Sequence, residues 1–434
     1  MAKVKKNLNF KSLINGFKAA INIHDDQRRQ KSVDYTIKDI GLSVLACMFY
    51  KAGSLLHFQK ILKQRMYRND LETQFDVQET PCDNQIRSVI ASIPTSTYEP
   101  VFKDYLNRLQ RSKDLQKYRF QKHYLVALDG TQYHCSEEIH CSECLERKKK
   151  NGVIEYSHQA LQPIICHPDQ RQIIPLMPEP IRNIDGTKKQ DCEIKAAKRL
   201  LPKIRAQHPR MEFIWLADSI YATSTFIKEI LERKEKFIFR IKQGDHKALY
   251  EHIETADYVS HATDLGKTKI AYHWYNEVPL NKSTDIKVTV LKAFVIKTDK
   301  SGKKSSTIAG IWATNIDIDK YNVAGITKAA RARWKVENQC FNALKNSGYE
   351  LTHNWGHVNG EAFNFYLLVM LGFYLHQILE LTDRLFQWCR QACGSHKLLW
   401  EDLNGLFKFM VFRSWESMLL RCLEANGVDP PEMI

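Results

Sequence analysis

Two aspartates end short apolar runs: Asp129 in YLVALDGT and Asp218 in FIWLADSIY. A carboxylate beside an apolar strand is costly unless something positive meets it, and a metal ion is a natural partner. Taken singly, each also reads as a loop or helix-capping acid. A third acid, Glu337, lies in RARWKVENQCFNALKNSG. On a helix, Arg333, Glu337, Phe341 and Lys345 follow at four-residue steps and form one stripe. Arg333 and Glu337 alone would also fit an exposed ion pair. Jointly, the three acids suit two-metal phosphoryl chemistry, in which carboxylates bridge and flank two ions ~3.5–4 Å apart. Oxygen donors favour the hard ions Mg²⁺ and Mn²⁺. One ion would lower the pKa of an attacking water or 3′-hydroxyl, and the other would neutralise the leaving 3′-oxygen. Arg331, Arg333, Lys335 and Lys345 are the basic residues placed to bind scissile or flanking phosphates.

A second cluster, HCSEEIHCSEC, spans His134 to Cys144. Cys141 and Cys144 have the two-residue gap of a zinc knuckle, and Cys135 is a candidate third ligand. A structural Zn²⁺ needs a fourth donor, for which His134, His140, His158 and His167 are the candidates. There is no second C-x-x-C, so reduced thiols in a loop are the competing reading. The run ERKKK, from Glu146 to Lys150, reads as an exposed basic loop near the active face. Asp185, Asp191 and Glu193 read as structural: Asp191 as a helix N-cap and Glu193 in the first helical turn.

These residues need elements to place them. Residues 1–120 carry helix-period apolar residues and read as a helical DNA-binding region, with Asp83 as one N-cap. Its basic edge runs through Arg108, Arg111, Lys113, Lys117, Arg119 and Lys122; a solvated charged cap is the plainer reading of that edge. Residues 121–242 alternate as strand, strand, strand, helix, strand, helix, strand, which argues for a mixed sheet with helices on its faces. Residues 243–318 read as an all-β insertion, and 319–381 as the remainder of the catalytic domain with the Glu337 helix. Residues 382–434 are again helical. The fold class is therefore α/β, a mixed sheet flanked by helices, with a β insertion and helical ends.

The 434 residues carry 64 Lys and Arg against 49 Asp and Glu, a formal charge of +15. Such a surplus favours a polyanionic partner, because basic groups release counterions from phosphates. The most apolar stretch runs from Phe363 to Leu381, but Asn364, His376, Gln377 and Glu380 interrupt it. Its unbroken part, Phe365 to Leu375, is too short to span a bilayer, so it reads as a buried core helix. The N-terminal lysines precede no long apolar core, so no secretory signal is expected. Eleven cysteines, an odd number, suit reduced thiols in a cytosol.

The order LDGT, LADSIY, a β-rich insertion and RARWKVEN resembles the DDE transposases of bacterial insertion sequences. YSHQALQPIICHP, IPLMPEPI, KKQDCEIKAAKRLL and NWGHVNGEAFNFYLLVMLGFYLHQI are similar to that family too. The resemblance covers about Tyr124 to Leu381. It implies an RNase H-like catalytic fold interrupted by a β-strand domain, with Asp129, Asp218 and Glu337 as ligands of two Mg²⁺ or Mn²⁺ ions. One subgroup carries a Tyr, Arg, Glu, Lys signature on the Glu helix. Arg333 keeps the Arg; Ala330 stands where the Tyr is expected; Leu344 stands at the Lys position, with Lys345 one further on. The resemblance also implies that the insertion contacts transposon ends, where Tyr272, Trp274, Tyr275 and Trp312 could stack on a flipped base; a β-domain core is their plainer role.

The function this implies is binding of double-stranded terminal inverted repeats as a homodimer, 3′-end cleavage and joining to target DNA. The setting would be a bacterial cytosol or nucleoid, with no membrane partner. The rival readings are an RNase H-like nuclease that does not join strands, and a domesticated DNA-binding relic.

Overall fold

The computed structural model describes the chain except residues 1–6, 24–25, 27, 29–32, 63–64, 80, 184–189, 267, 300–302, 358–359 and 430–434. The N-terminal part is helical, as its periodicity predicts: α1 (Phe10–Asn22), α2 (Ile37–Phe49), α3 (Leu55–Leu62), α4 (Arg65–Phe75), α5 (Asp83–Ser92) and α6 (Glu99–Arg111). Asn9 and Thr36 cap α1 and α2 by accepting backbone N–H bonds from Ser12 and Asp39. The expected cap of α5 is off by one: Cys82 holds the N-cap position and Asp83 is the first helical residue. There its charge still complements the helix dipole.

The sheet opens with β1 (Arg119–Phe120) and the long β2 (His123–Ser136), then β3 (Leu145–Lys148), β4 (Ile154–Cys166), β5 (Ile174–Pro175) and β6 (Glu179–Ile181). Next come α7 (Glu193–Gln207), β7 (Phe213–Ala217), α8 (Ser224–Glu232) and β8 (Lys236–Arg240). The alternation expected from the sequence is present. One correction concerns ERKKK, which is not a loop at its start: Glu146–Lys148 pair with β4 as part of β3. Lys149 is held by Glu137 and Glu155, which leaves Arg147, Lys148 and Lys150 exposed.

Strands β4 and β2 are antiparallel, β5 and β6 run antiparallel to β4, β7 is parallel to β2, and β8 is parallel to β7. All five residues of β7 are buried, as suits a parallel strand covered on both faces.

The insertion is not purely β. It holds α9 (Lys247–Thr255) before β9 (Val259–Asp264), β10 (Thr268–Pro279), β11 (Lys287–Thr298) and β12 (Lys304–Thr314). Nor does it form a sheet of its own, because β12 pairs with β8. Among the described residues, twelve strands share one sheet, in the order β3-β4-β2-β7-β8-β12-β11-β10-β9 with β1, β5 and β6 at its margins.

The chain then returns as α10 (Val323–Arg331), α11 (Asn342–Asn346), α12 (Glu361–Thr382), α13 (Arg384–Ala392), α14 (His396–Phe409) and α15 (Trp415–Ala425). Helix α12 is long and apolar enough to cross a membrane, but 94% of its apolar window is buried inside the fold. Three of its polar residues bond to neighbouring segments. Asn364 donates to the carbonyls of Ile90 and Ile93, Gln377 accepts from the Ile173 N–H, and His376 bonds Tyr349. The two chain ends close around it: Phe10 stacks on Trp415, and the Phe412 N–H donates to Asp70.

Candidate active site

Strand register explains why two aspartates distant in sequence share one end of the sheet. The parallel pairing of β2 with β7 runs from Tyr124 opposite Phe213 to Ala127 opposite Leu216. Asp129 and Asp218 each stand two residues beyond that last pair, at the same end of adjacent strands, where β7 has ended and β2 runs on. Loops at such strand ends can vary while the sheet fixes position.

The third acid comes from a helix that is not continuous. The run read as one helix breaks after α10 into a 3₁₀ turn, Ala332–Trp334, and a π turn, Val336–Phe341, before α11. Such wide turns recur at functional sites. Here the π turn carries Glu337. Because it adds one residue to a turn, Lys345 takes the face that position 344 would occupy on an unbroken α-helix. Leu344 is fully buried, whereas Lys345 is half-buried and feels the charge of Asp129.

Arg333 joins the acids. Its guanidinium donates to Glu337 at 2.6 Å and lies 3.7 Å from Asp129. Its charge also reaches Asp218. Arg333 is only 6% exposed, so its fork is committed to these carboxylates. Asp129 and Glu337 flank it, and the three acids do not gather into a single-ion cluster of the kind found elsewhere among the described residues.

Burial pushes the Asp129 carboxyl up to about 7; Arg333 opposes this, while Glu193 and Glu337 add to it. Burial would also raise Asp218, but the Ser219 N–H, Lys242 and Arg333 outweigh it and hold that carboxyl below its usual range. Lys242 Nζ sits 3.3 Å from Asp218 Oδ2. Asp218 Oδ1 is buried and has no hydrogen-bond partner, which leaves an acceptor open to a further positive group.

A fourth carboxylate belongs to the site. Glu193 is in the first turn of α7, as its sequence position predicts, but its side chain also reaches over Gly130. A Cβ on Gly130 would lie 2.4 Å from Glu193 Oε1, so glycine is required for this approach. Tyr221 donates to the other Glu193 oxygen at 2.7 Å. The glycine of LDGT was the available signal, although nothing local named its neighbour. Asp191 is structural but is not the N-cap of α7, a position Cys192 holds; it pairs with Arg199 and accepts from the Arg182 N–H, so its carboxylate is taken up by those partners. Asp185 lies outside the described residues.

Other candidates separate. Arg331 is exposed. Lys335 donates to the Gln170 carbonyl and is drawn toward Asp169, away from the acids. Tyr272, Trp274, Tyr275 and Trp312 are each under 7% exposed, so these aromatics pack the insertion's core and are not free to stack on a base. Trp312 lies over Gly310, where a Cβ would meet its ring at 2.2 Å. The exposed aromatic beside the acids is instead Trp334, which Arg333 and Arg240 flank. In the N-terminal basic stretch, Arg108 is held by Asp104 and Ser12.

The cysteine reading needs one correction. Side chains alternate along β2, so buried His134 and exposed Cys135 face opposite ways. Cys135 therefore does not join Cys141 and Cys144. Those two meet His158 and, from far along the chain, His357. His167 lies at the other end of β4, next to Asp169, and His140 stacks on Tyr156.

The sequence matches no protein-family model and no curated protein.

Proposed function

We propose that the chain is a DDE-type DNA transposase of the insertion-sequence kind, acting on double-stranded DNA as a homodimer in a bacterial cytosol. The observation that carries this reading is one buried guanidinium that pairs with Asp129 and Glu337 and whose charge reaches Asp218. The topology supports it as well. An antiparallel β2–β4–β5/β6 unit is followed by parallel β7 and β8 through α7 and α8, with β2 central. Such an order is the one expected of an RNase H-like core, which on this reading comprises residues 121–242 and 319–381.

The donor set fits hard cations. The ligands are carboxylate oxygens, one of them a buried oxygen without a partner, and oxygen donors select Mg²⁺ or Mn²⁺ over softer ions. Asp129, Asp218 and Glu337 would hold the ions, with Glu193 beside Asp129. Bound there, such ions supply an activated water or 3′-hydroxyl and charge neutralisation at the leaving oxygen. The chain's own residues do the rest. Arg333 holds Asp129 and Glu337, and Lys242 pairs with Asp218, between turnovers. Lys242 and Lys345 put positive charge at the rim, where a DNA phosphate would lie. Trp334 offers an exposed ring beside that rim.

Asp129→Asn, Asp218→Asn and Glu337→Gln are each expected to reduce Mn²⁺-dependent cutting of inverted-repeat duplexes to background while binding of the same duplexes persists. Cutting retained in all three variants would remove the proposal. A strand-joining assay with pre-cleaved ends distinguishes a transposase, which joins them, from a nuclease, which does not.

A further inference from the structure

We infer that Cys141, Cys144, His158 and His357 form a structural Zn²⁺ site that ties the sheet to the segment entering α12. The four donor atoms lie within 4.8 Å of one another. The sulfurs of Cys141 and Cys144 are 3.9 Å apart. His158 Nε2 lies 3.4 Å from the first and 3.6 Å from the second, and His357 Nε2 lies 3.5 Å from Cys144 Sγ. Zn–S bonds of ~2.3 Å and Zn–N bonds of ~2.0–2.1 Å at tetrahedral angles put sulfur pairs ~3.8 Å apart and sulfur–nitrogen pairs ~3.6 Å apart. The separations in the fold follow that pattern.

A shared cation accounts for the cluster more simply than a set of weak thiol–imidazole hydrogen bonds. Cys144 Sγ accepts from the Cys141 N–H and also approaches both imidazole nitrogens and the other sulfur. A hydrogen-bonded arrangement would need at least one imidazole to donate to this sulfur, a weak acceptor. One cation at the centre uses all four lone pairs. Two thiolates cancel its charge, which suits a site where Cys144 and His158 are each 3% exposed. With four protein ligands, no coordination position stays open, so the metal's role is structural.

Three elements contribute. Cys141 and Cys144 come from the turn between β2 and β3, His158 from β4, and His357 from the segment before α12. The ion would therefore cross-link parts of the chain some two hundred residues apart. The same turn holds the approach to α7: Glu143 pairs with Arg182, and Asn183 donates to the Cys144 carbonyl. Helix α7 carries Glu193, so the site braces a wall of the acidic centre while itself lying outside it.

The test is metal content of the full chain, purified without an affinity histidine tag, followed by Co²⁺ substitution. The expected result is one zinc per chain and, with Co²⁺, tetrahedral d–d bands plus thiolate-to-metal charge transfer. Cys144→Ser should cut the content to below about a tenth, and Cys135→Ser should leave it unchanged. His357→Cys keeps a ligand in place, so it should retain the metal and strengthen the charge-transfer band even if His357→Asn fails to fold. Three results would overturn the inference. They are folded chain that takes up no zinc, metal that survives Cys144→Ser (bound elsewhere, as at Cys393, Asp402 and Cys422), or a Cys141–Cys144 disulfide in the alkylated protein. None of these outcomes depends on whether the acidic centre cuts DNA.

Discussion

Among the acids of the candidate site, Asp129 is strongly altered by its surroundings. Burial raises its carboxyl to about 7, with the charges of Glu193 and Glu337 adding to the effect. In the unfolded chain an aspartate titrates near ~3.9. Between those values the folded chain keeps a proton that the unfolded chain has lost. The stabilisation is therefore complete below the unfolded value and is lost as pH rises through about 7. In metal-free protein, the wild-type melting temperature should fall relative to Asp129→Asn across that window, since asparagine does not titrate. Parallel melting profiles would mean that Asp129 is not desolvated as described. A hard cation must displace the same proton, so metal affinity should climb over the same interval.

At the scale of elements, two departures from regularity matter. The π turn at Val336–Phe341 sets Glu337 toward the sheet and returns Lys345 to the same face. Four-residue periodicity gave the stripe but not the break, because a π turn follows from what the helix packs against. The second departure is the crossing of α12 over α2 at Gly372. A Cβ there would meet Met48 Cβ at 3.0 Å and the backbone of Met48 and Phe49 at 3.2 and 3.3 Å. Backbone cannot rotate aside as a side chain can. Gly372→Ala is therefore expected to cost about 1–3 kcal/mol from overpacking, outweighing the roughly 1 kcal/mol that alanine gains in helix propensity. Urea unfolding reads this directly, and an unchanged or higher midpoint would mean that the crossing has room.

For the whole molecule, the charge of +15 makes its own prediction. Duplex binding should weaken on the order of a thousandfold between ~50 and ~200 mM salt if six or more phosphates are neutralised; affinity indifferent to salt would remove DNA as the main partner. Much of this was legible in the sequence. Asp129 and Asp218 stand at the ends of apolar runs, and a residue's place at a strand end is a local property. The buried character of α12 was likewise written in an apolar run interrupted by Asn364, His376 and Gln377. Folding alone supplied Glu193 over Gly130, the joining of β12 to β8, the burial of the insertion's aromatics, and His357 beside Cys144. These are contacts between segments far apart in the chain. Pattern along a sequence reports the period of its own backbone and which face is apolar; it carries no distance to a side chain two hundred residues away.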